Sequence, residues 1–259
     1  MVKNFTDLTG RVAVVLGGTS GIGRSIAMGL AEAGADVVAS GRRENLITDI
    51  AAAIEAMGRR SFVQAVDILD RASIDSLRDA VVSKMGHVDI LVNAAGQTFR
   101  KPTIDVDEAS WNQVMNTNLT GTLRSCQSFY QPLKQSGRGG RIINIASLSS
   151  FVGLFEVSAY CASKAAVLSL TRNLAIEWAK DGINVNAISP GVFPTELNAS
   201  LLNGTERGRE FIMRTPMRRF GKTEELVGAA VLLASDAASY ITGQSIAVDG
   251  GFLAAGVTT

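Results

Sequence analysis

Tyr160 and Lys164 lie four residues apart in the run Tyr160, Cys161, Ala162, Ser163, Lys164, at the head of a segment with helical periodicity over 159–180. Side chains at i and i+4 share one helix face, so a phenol and an ammonium stand one turn apart. A free phenol titrates near pH ~10 and exchanges protons poorly at neutrality, whereas a cation held beside it favours the phenolate and lowers its pKa. The pair could therefore exchange a proton with a substrate oxygen. Spacing alone is equally compatible with a surface coincidence, so other residues must decide. Ser147, Ser149 and Ser150 follow an apolar run thirteen residues before Tyr160. The single histidine, His87, reads as a turn or strand-edge residue, so neither a histidine-based triad nor a metal centre is expected. No G-x-S-x-G elbow points to a serine hydrolase. Cys126 and Cys161 form no C-x-x-C pair and read as small, buried, reduced thiols.

The elements that must position these groups follow from periodicity. Short runs rich in Val and Ile alternate with longer segments of helical period, the pattern of βα units around a parallel sheet. Seven strands are predicted, at 12–16, 37–40, 62–66, 90–93, 142–146, 184–188 and 245–248, in the order 3-2-1-4-5-6-7. Helical patterns occupy 22–34, 43–57, 71–85, 107–135, 159–180 and 223–235. The expected fold is a Rossmann-type doubly wound α/β domain over 1–259 with helices on both faces. Alternation fails between about 192 and 222, where Pro194, Pro216 and several glycines predict a substrate lid. Asn116 and Asn118 interrupt the 107–135 pattern, and Asn disfavours helix interiors, so a local break or a specific hydrogen bond is expected there.

Strand one runs directly into Gly17, Gly18, Thr19, Ser20, Gly21, Ile22 and Gly23. Glycines at this place let the backbone turn sharply and approach a pyrophosphate, whose charge meets the free amides and positive end of the next helix. The end of strand two discriminates between NAD and NADP. There Gly41 stands where an acid would bond the ribose hydroxyls, and Arg42 and Arg43 follow, able to grip a 2′-phosphate. NADP(H) is favoured, with NAD(H) as the alternative. Asp67 and Ile68 could hold an adenine ring, or Asp67 could serve as a helix cap. Asn93, Ala94, Ala95 and Gly96 offer small side chains beside the cofactor, and Pro190, Gly191, Val192 and Thr195 follow strand six. All these residues fall at carboxyl ends of parallel strands, the edge where open α/β sheets bind ligands.

The chain has 25 basic and 24 acidic residues in 259, and 46% of it is hydrophobic. A balance of +1 leaves no electrostatic footprint for nucleic acid. No uninterrupted apolar stretch of roughly 18 residues predicts a membrane span, and the start MVKNFTDLTGRV lacks a signal-peptide core, so a cytoplasmic protein is expected.

Together GGTSGIG, NAAG at 93–96, NTNLTG around Asn118, Ser147, YCASK, PGVFPT at 190–195 and ITGQSIAVDGG resemble the classical branch of the short-chain dehydrogenase/reductase family, over essentially the whole chain. The wider glycine spacing G-x-x-x-G-x-G is that family's form of the turn. Leu16 departs from it, where Thr is usual. The resemblance implies a tetrad of Asn118, Ser147, Tyr160 and Lys164. Tyr160 would exchange the proton and Ser147 would hydrogen-bond the same oxygen. Lys164 would lower the tyrosine pKa and hold the nicotinamide ribose, Asn118 would bind a water linking Lys164 to solvent, and Thr195 would contact the nicotinamide amide. The residues from 214 to the end are similar to the gluconate 5-dehydrogenase-like branch of sugar-acid and polyol oxidoreductases. That implies a ketone or secondary alcohol on a sugar acid, ketose or polyol, with Arg100, Lys101, Arg207, Arg209 and Arg214 as candidate cations for an acid. Reduction of a 3-oxoacyl group on acyl carrier protein is the second reading, and a non-catalytic cofactor-binding scaffold the third. The segment 223–259 resembles the family's subunit interface and implies a homotetramer.

Overall fold

Val and Ile dominate the strand runs because these strands are covered on both faces, where β-branched side chains pack well and an alternating pattern would strand polar groups. The computed structural model describes residues 4–196 and 198–256, and of Leu201 the backbone only. Leu197, inside the expected lid, lies outside the described residues. The strands are β1 (Val12–Leu16), β2 (Asp36–Ser40), β3 (Ile90–Asn93), β4 (Gly140–Ile145), β5 (Ile183–Pro190) and β6 (Ser245–Val248). They form one parallel sheet in the order β2-β1-β3-β4-β5-β6. Helices α1 (Gly21–Glu32), α2 (Glu44–Ala56), α3 (Arg71–Met85), α4 (Glu108–Met115), α5 (Gly121–Gln135), α6 (Ser158–Trp178), α7 (Ala199–Leu202), α8 (Glu206–Arg214) and α9 (Val227–Ala234) complete the chain.

Strand residues alternate between two cores. Ala13, Val15, Val92, Ile143 and Ile188 pack with Ile26 and Leu30 of α1, Ile54 of α2 and Leu233 of α9. Val12, Val14, Leu91, Ile142 and Val185 pack with Leu77 of α3, Phe129 of α5 and Leu174 of α6. The layers match the expected doubly wound architecture.

The sheet has six strands where seven were predicted, because the run at 62–66 does not close a ladder. That segment flanks β2 with two backbone bonds, Val37 N–H to Arg60 O at 3.1 Å and Val66 N–H to Gly41 O at 2.8 Å. Between them the Ser40 hydroxyl, not a backbone amide, donates to the Gln64 carbonyl. A side chain has taken the acceptor that the ladder needs. The remaining strand order is the expected one with that position removed.

The helical pattern at 107–135 is likewise interrupted, as Asn116 and Asn118 suggested. A π-helical turn, Asn116–Thr120, joins α4 to α5. Such a turn adds one residue to the coil and re-aims side chains; here it carries Asn118, buried, toward α6.

His87 sits at the opposite edge of the sheet from the strand carboxyl ends, with Nε2 3.0 Å from Oδ2 of buried Asp89, which also accepts the Val12 amide at 2.8 Å. No helix among the described residues is long and apolar enough to cross a membrane.

Candidate active site

Helix α6 buries a stripe of Ala159, Ser163, Lys164, Val167, Leu168, Thr171, Leu174 and Ala175 against the sheet. This is the 3.6-residue period of one helix face, and Lys164 lies on it. Its ammonium is buried and donates to the carbonyl of Ile145, at the end of β4, at 2.6 Å. Nζ also stands 5.8 Å from the centroid of the Tyr160 ring. The expected shared face is therefore present, with the lysine pointing inward. Burial lowers Lys164 to about 8. Burial also raises the Tyr160 phenol above its ordinary value, with a hydrogen bond from Ser147 in partial opposition. In the protein by itself, then, the phenol is not depressed as the sequence suggested. Desolvation outweighs a cation that is itself weakened by the same burial.

Ser147 follows β4, buried, and caps the short turn Leu148–Ser150 by accepting the Ser149 amide at 3.1 Å. Asn118 is tied on every side-chain atom. Its Oδ1 accepts the Gln97 amide at 2.9 Å, and Nδ2 donates to Gln97 O and to Ser163 Oγ, both at 3.0 Å. Ser163 in turn donates to the Tyr160 carbonyl at 2.7 Å. The π-turn, the loop after β3 and the first turn of α6 are thus one hydrogen-bonded unit. A Cβ at Gly96 would stand 3.3 Å from Asn118 Oδ1 and 3.6 Å from Lys164 Nζ, so the bare backbone there keeps the space between the two open. Asn93 contributes differently, bonding Asn144 at 2.8 Å, which bonds Thr171 of α6 at 2.9 Å. That buried chain fixes α6 to β3 and β4. Gln97, Ser163, Asn144 and Thr171 were missed at the sequence level. An amide or hydroxyl on an otherwise apolar strand or stripe was the available signal for the last three.

The glycine turn fits a dinucleotide. Gly17 has φ +79°, and a Cβ on it would meet the Ala95 amide nitrogen at 2.6 Å, so the turn needs glycine both for its backbone angle and for its contact with the loop after β3. Ser20 N-caps α1 without a side-chain bond to its first-turn amides, and no acidic residue stands in that turn. Those amides and the positive helix end are left for an anion. A methyl on Gly21 would stand 3.2 Å from Thr195 Cγ2, which places Thr195, after β5, beside the same turn. The Thr195 amide is held by Asn198 Oδ1 at 2.7 Å.

At the end of β2, Arg43 is exposed and donates to Ser20 Oγ at 3.2 Å, lying across the turn. Arg42 is exposed and has no carboxylate within 4 Å among the described residues. Asp67 Oδ1 accepts the Leu69 amide at 2.9 Å, and the Asp67 amide donates to Ser73 Oγ at 3.0 Å. The cap of α3 is Asp70, bonded to the Ala72 amide. Ile68 borders Gly121, whose added Cβ would lie 3.0 Å from Ile68 Cδ1. Cys126 is fully buried and its thiol is pushed up to about 12, while Cys161 is half-buried beside Tyr160.

A family model described as enoyl-(acyl carrier protein) reductase matches residues 17–253. The chain is 42% identical over 254 residues to 2-dehydro-3-deoxy-D-gluconate 5-dehydrogenase of Dickeya dadantii, covering 98% of this chain and 100% of that one. Among solved structures it superposes on a gluconate 5-dehydrogenase of Burkholderia cenocepacia in complex with NADP and tartrate, with a TM-score of 0.93 and 35% identity over 98% and 99% of the two chains. It also superposes on a short-chain type dehydrogenase/reductase of Mycobacterium marinum, with a TM-score of 0.91 and 33% identity over 96% and 98%.

Proposed function

Since the chain belongs to the classical short-chain dehydrogenase/reductase family, we propose that it interconverts a secondary alcohol and a ketone on a sugar acid, ketose or polyol with NADP(H). The observation that carries this reading is the convergence of Tyr160, Ser147 and Lys164 with the uncapped start of α1 at one edge of the sheet. The amides at the start of α1 would hold the pyrophosphate, Arg42 and Arg43 the 2′-phosphate, and Asp67 and Ile68 the adenine. Asn93 to Gly96, Pro190 to Val192 and Thr195 would border the nicotinamide half. When bound, NADPH would supply the hydride that the substrate carbon gains in reduction, and NADP⁺ would take up the one it loses in oxidation.

In reduction, the Tyr160 hydroxyl gives its proton to the carbonyl oxygen as that oxygen gains charge, and the Ser147 hydroxyl hydrogen-bonds the same atom. In oxidation the phenolate takes the proton back. The raised phenol suits the first role at neutral pH. Lys164, fixed on Ile145 O, orients the ribose and supplies positive potential beneath the ring. Asn118 holds the Gln97 backbone and α6 in register, and a water against it would connect Lys164 to solvent. Residues 192–222, with α7 and α8, form the lid.

Turnover of keto-sugar acids, ketoses and acetoacetyl thioesters with NADPH tests the reading. Reduction of the first two classes is expected. A preference for the thioester would instead install the 3-oxoacyl-[acyl-carrier-protein] reductase reading, and no turnover of any would install the scaffold. The reading includes a cytoplasmic homotetramer. β6 is an edge strand, only partly covered, near fully exposed Tyr240, and such an edge calls for a covering partner. Light scattering should give four chains, and a monomer would refute the assembly.

A further inference from the structure

The loop leading into α6 and the lid helix α8 face each other across a cavity of about 500 Å³ lined by Phe155, Phe211, Phe252 and Arg207 among others. Five cations stand near this mouth in the sequence. Arg100 pairs with Glu156 at 2.6 Å, Lys101 with Asp107 at 3.3 Å and Arg214 with Glu210 at 3.0 Å. Arg209 is exposed and does not line the cavity. Arg214 and its partner Glu210 also line the cavity, but Arg214 is exposed and paired; Arg207 is the one of the five that is half-buried, lines the cavity and has no carboxylate within 4 Å among the described residues.

Its guanidinium is nevertheless held in place. It donates to the Phe155 carbonyl at 3.1 Å, and its central carbon stands 5.4 Å from the Phe211 ring centroid. A guanidinium carries five N–H donors in a planar fork, and one bond to a carbonyl leaves most of the fork unused. The ring beneath it fixes the plane. Burial and the neighbouring Arg100 both disfavour the cation, and Glu156, Glu210 and Cys161 offset this only in part, so Arg207 titrates below an ordinary arginine. A half-desolvated cation short of counter-charge is where an incoming anion gains most. Residues 152–155 of the cavity lining lie in the chain between Ser147 and Tyr160, and Cys161, next to Tyr160 in α6, is near enough to act on the Arg207 charge.

We infer that Arg207 binds the carboxylate of the substrate, so that it selects sugar acids over neutral ketoses and polyols of the same length. This rests on the sugar-acid reading above and identifies which side chain enforces it.

The test combines two measurements on wild type, Arg207→Gln and Arg207→Lys, with folding checked by circular dichroism. The first is calorimetric binding of D-gluconate to the enzyme with NADP. The second is kcat and KM for a keto-sugar acid and for a neutral ketose of equal chain length. For R207Q, gluconate binding and KM for the acid should each weaken about ten- to a hundredfold, the loss typical of a charge-assisted pair, with kcat and the neutral substrate little changed. R207K should fall between, since an ammonium cannot engage both oxygens as a fork. Unchanged gluconate binding in R207Q, or equal loss for acid and neutral substrates, overturns the inference. If wild type binds gluconate through Arg207 yet reduces only neutral ketoses, the anion site stands and the sugar-acid function falls.

Discussion

Replacing Lys164 by Met should stabilise the protein while abolishing its activity. The ammonium is buried, and its pKa falls from 10.5 to about 8, so holding it charged in this site costs about 3 kcal/mol at neutral pH. Met fills the same space without charge, but the bond to Ile145 O is lost, which costs about 1–2 kcal/mol. The net is a gain of about 1–2 kcal/mol at pH 7. The pH dependence identifies the cause. Because the folded pKa lies below the unfolded one, the unfolded chain binds the extra proton between about pH 8 and 10.5, and wild-type stability gains from this group as pH rises through that window. Below pH 8 both states are protonated and the cost is constant. Above 10.5 the lysine is neutral in both states, and the Met variant, lacking the hydrogen bond, should be the less stable by about 1–2 kcal/mol. Urea denaturation of both proteins without cofactor, at equal protein concentration and at pH 7 and 10.5, reads the difference, and titrations common to both cancel. A Met variant that is less stable at pH 7, with the same difference at pH 10.5, would refute the reasoning.

Three further outcomes follow from the same geometry. Arg42→Ala should raise KM for NADPH about tenfold or more while leaving NADH unaffected, as loss of a charged phosphate contact requires, and equal effects on both cofactors would remove Arg42 from the 2′-phosphate site. Gly23→Ala should lower both melting temperature and NADPH affinity, because its Cβ would meet the Gly17 carbonyl oxygen at 2.1 Å and the turn must shift at a cost of about 1–3 kcal/mol; unchanged cofactor titrations would contradict this. Since burial keeps the Tyr160 phenol protonated well above neutrality, alcohol oxidation should accelerate with pH up to at least the ordinary phenol range, while ketone reduction stays level around pH 7. A plateau of oxidation below pH 7 would show a depressed phenol instead.

Most of this architecture was legible in the sequence because parallel strands and their helices announce themselves by period. β1, β3 and β6 have the predicted bounds, and the interruption at Asn116 and Asn118 became a π-turn. The failures have separate physical causes. The run at 62–66 has strand composition, yet Ser40 takes the Gln64 carbonyl that a ladder requires. The i, i+4 spacing placed Tyr160 and Lys164 on one face, but only the structure shows that Lys164 is buried there and Tyr160 half-buried, which reverses the sign of the pKa argument for the phenol. The bonds from Asn118 to Gln97 and Ser163 span 21 and 45 residues, and no local pattern encodes them. The cations near the mouth looked alike in sequence, and only their ion pairs, burial and position at the cavity separate Arg207 from the rest.

The central claim is that Tyr160 exchanges the proton at the reacting oxygen. Its most direct test is Tyr160→Phe, which removes only the hydroxyl from a residue otherwise packed in α6, with turnover and NADPH binding measured on the same preparation. Loss of about 10²–10⁴-fold in kcat with unchanged cofactor affinity is the result the geometry requires. Turnover within about tenfold of wild type would contradict it, since general acid–base catalysis by this group would then supply less than its smallest usual share.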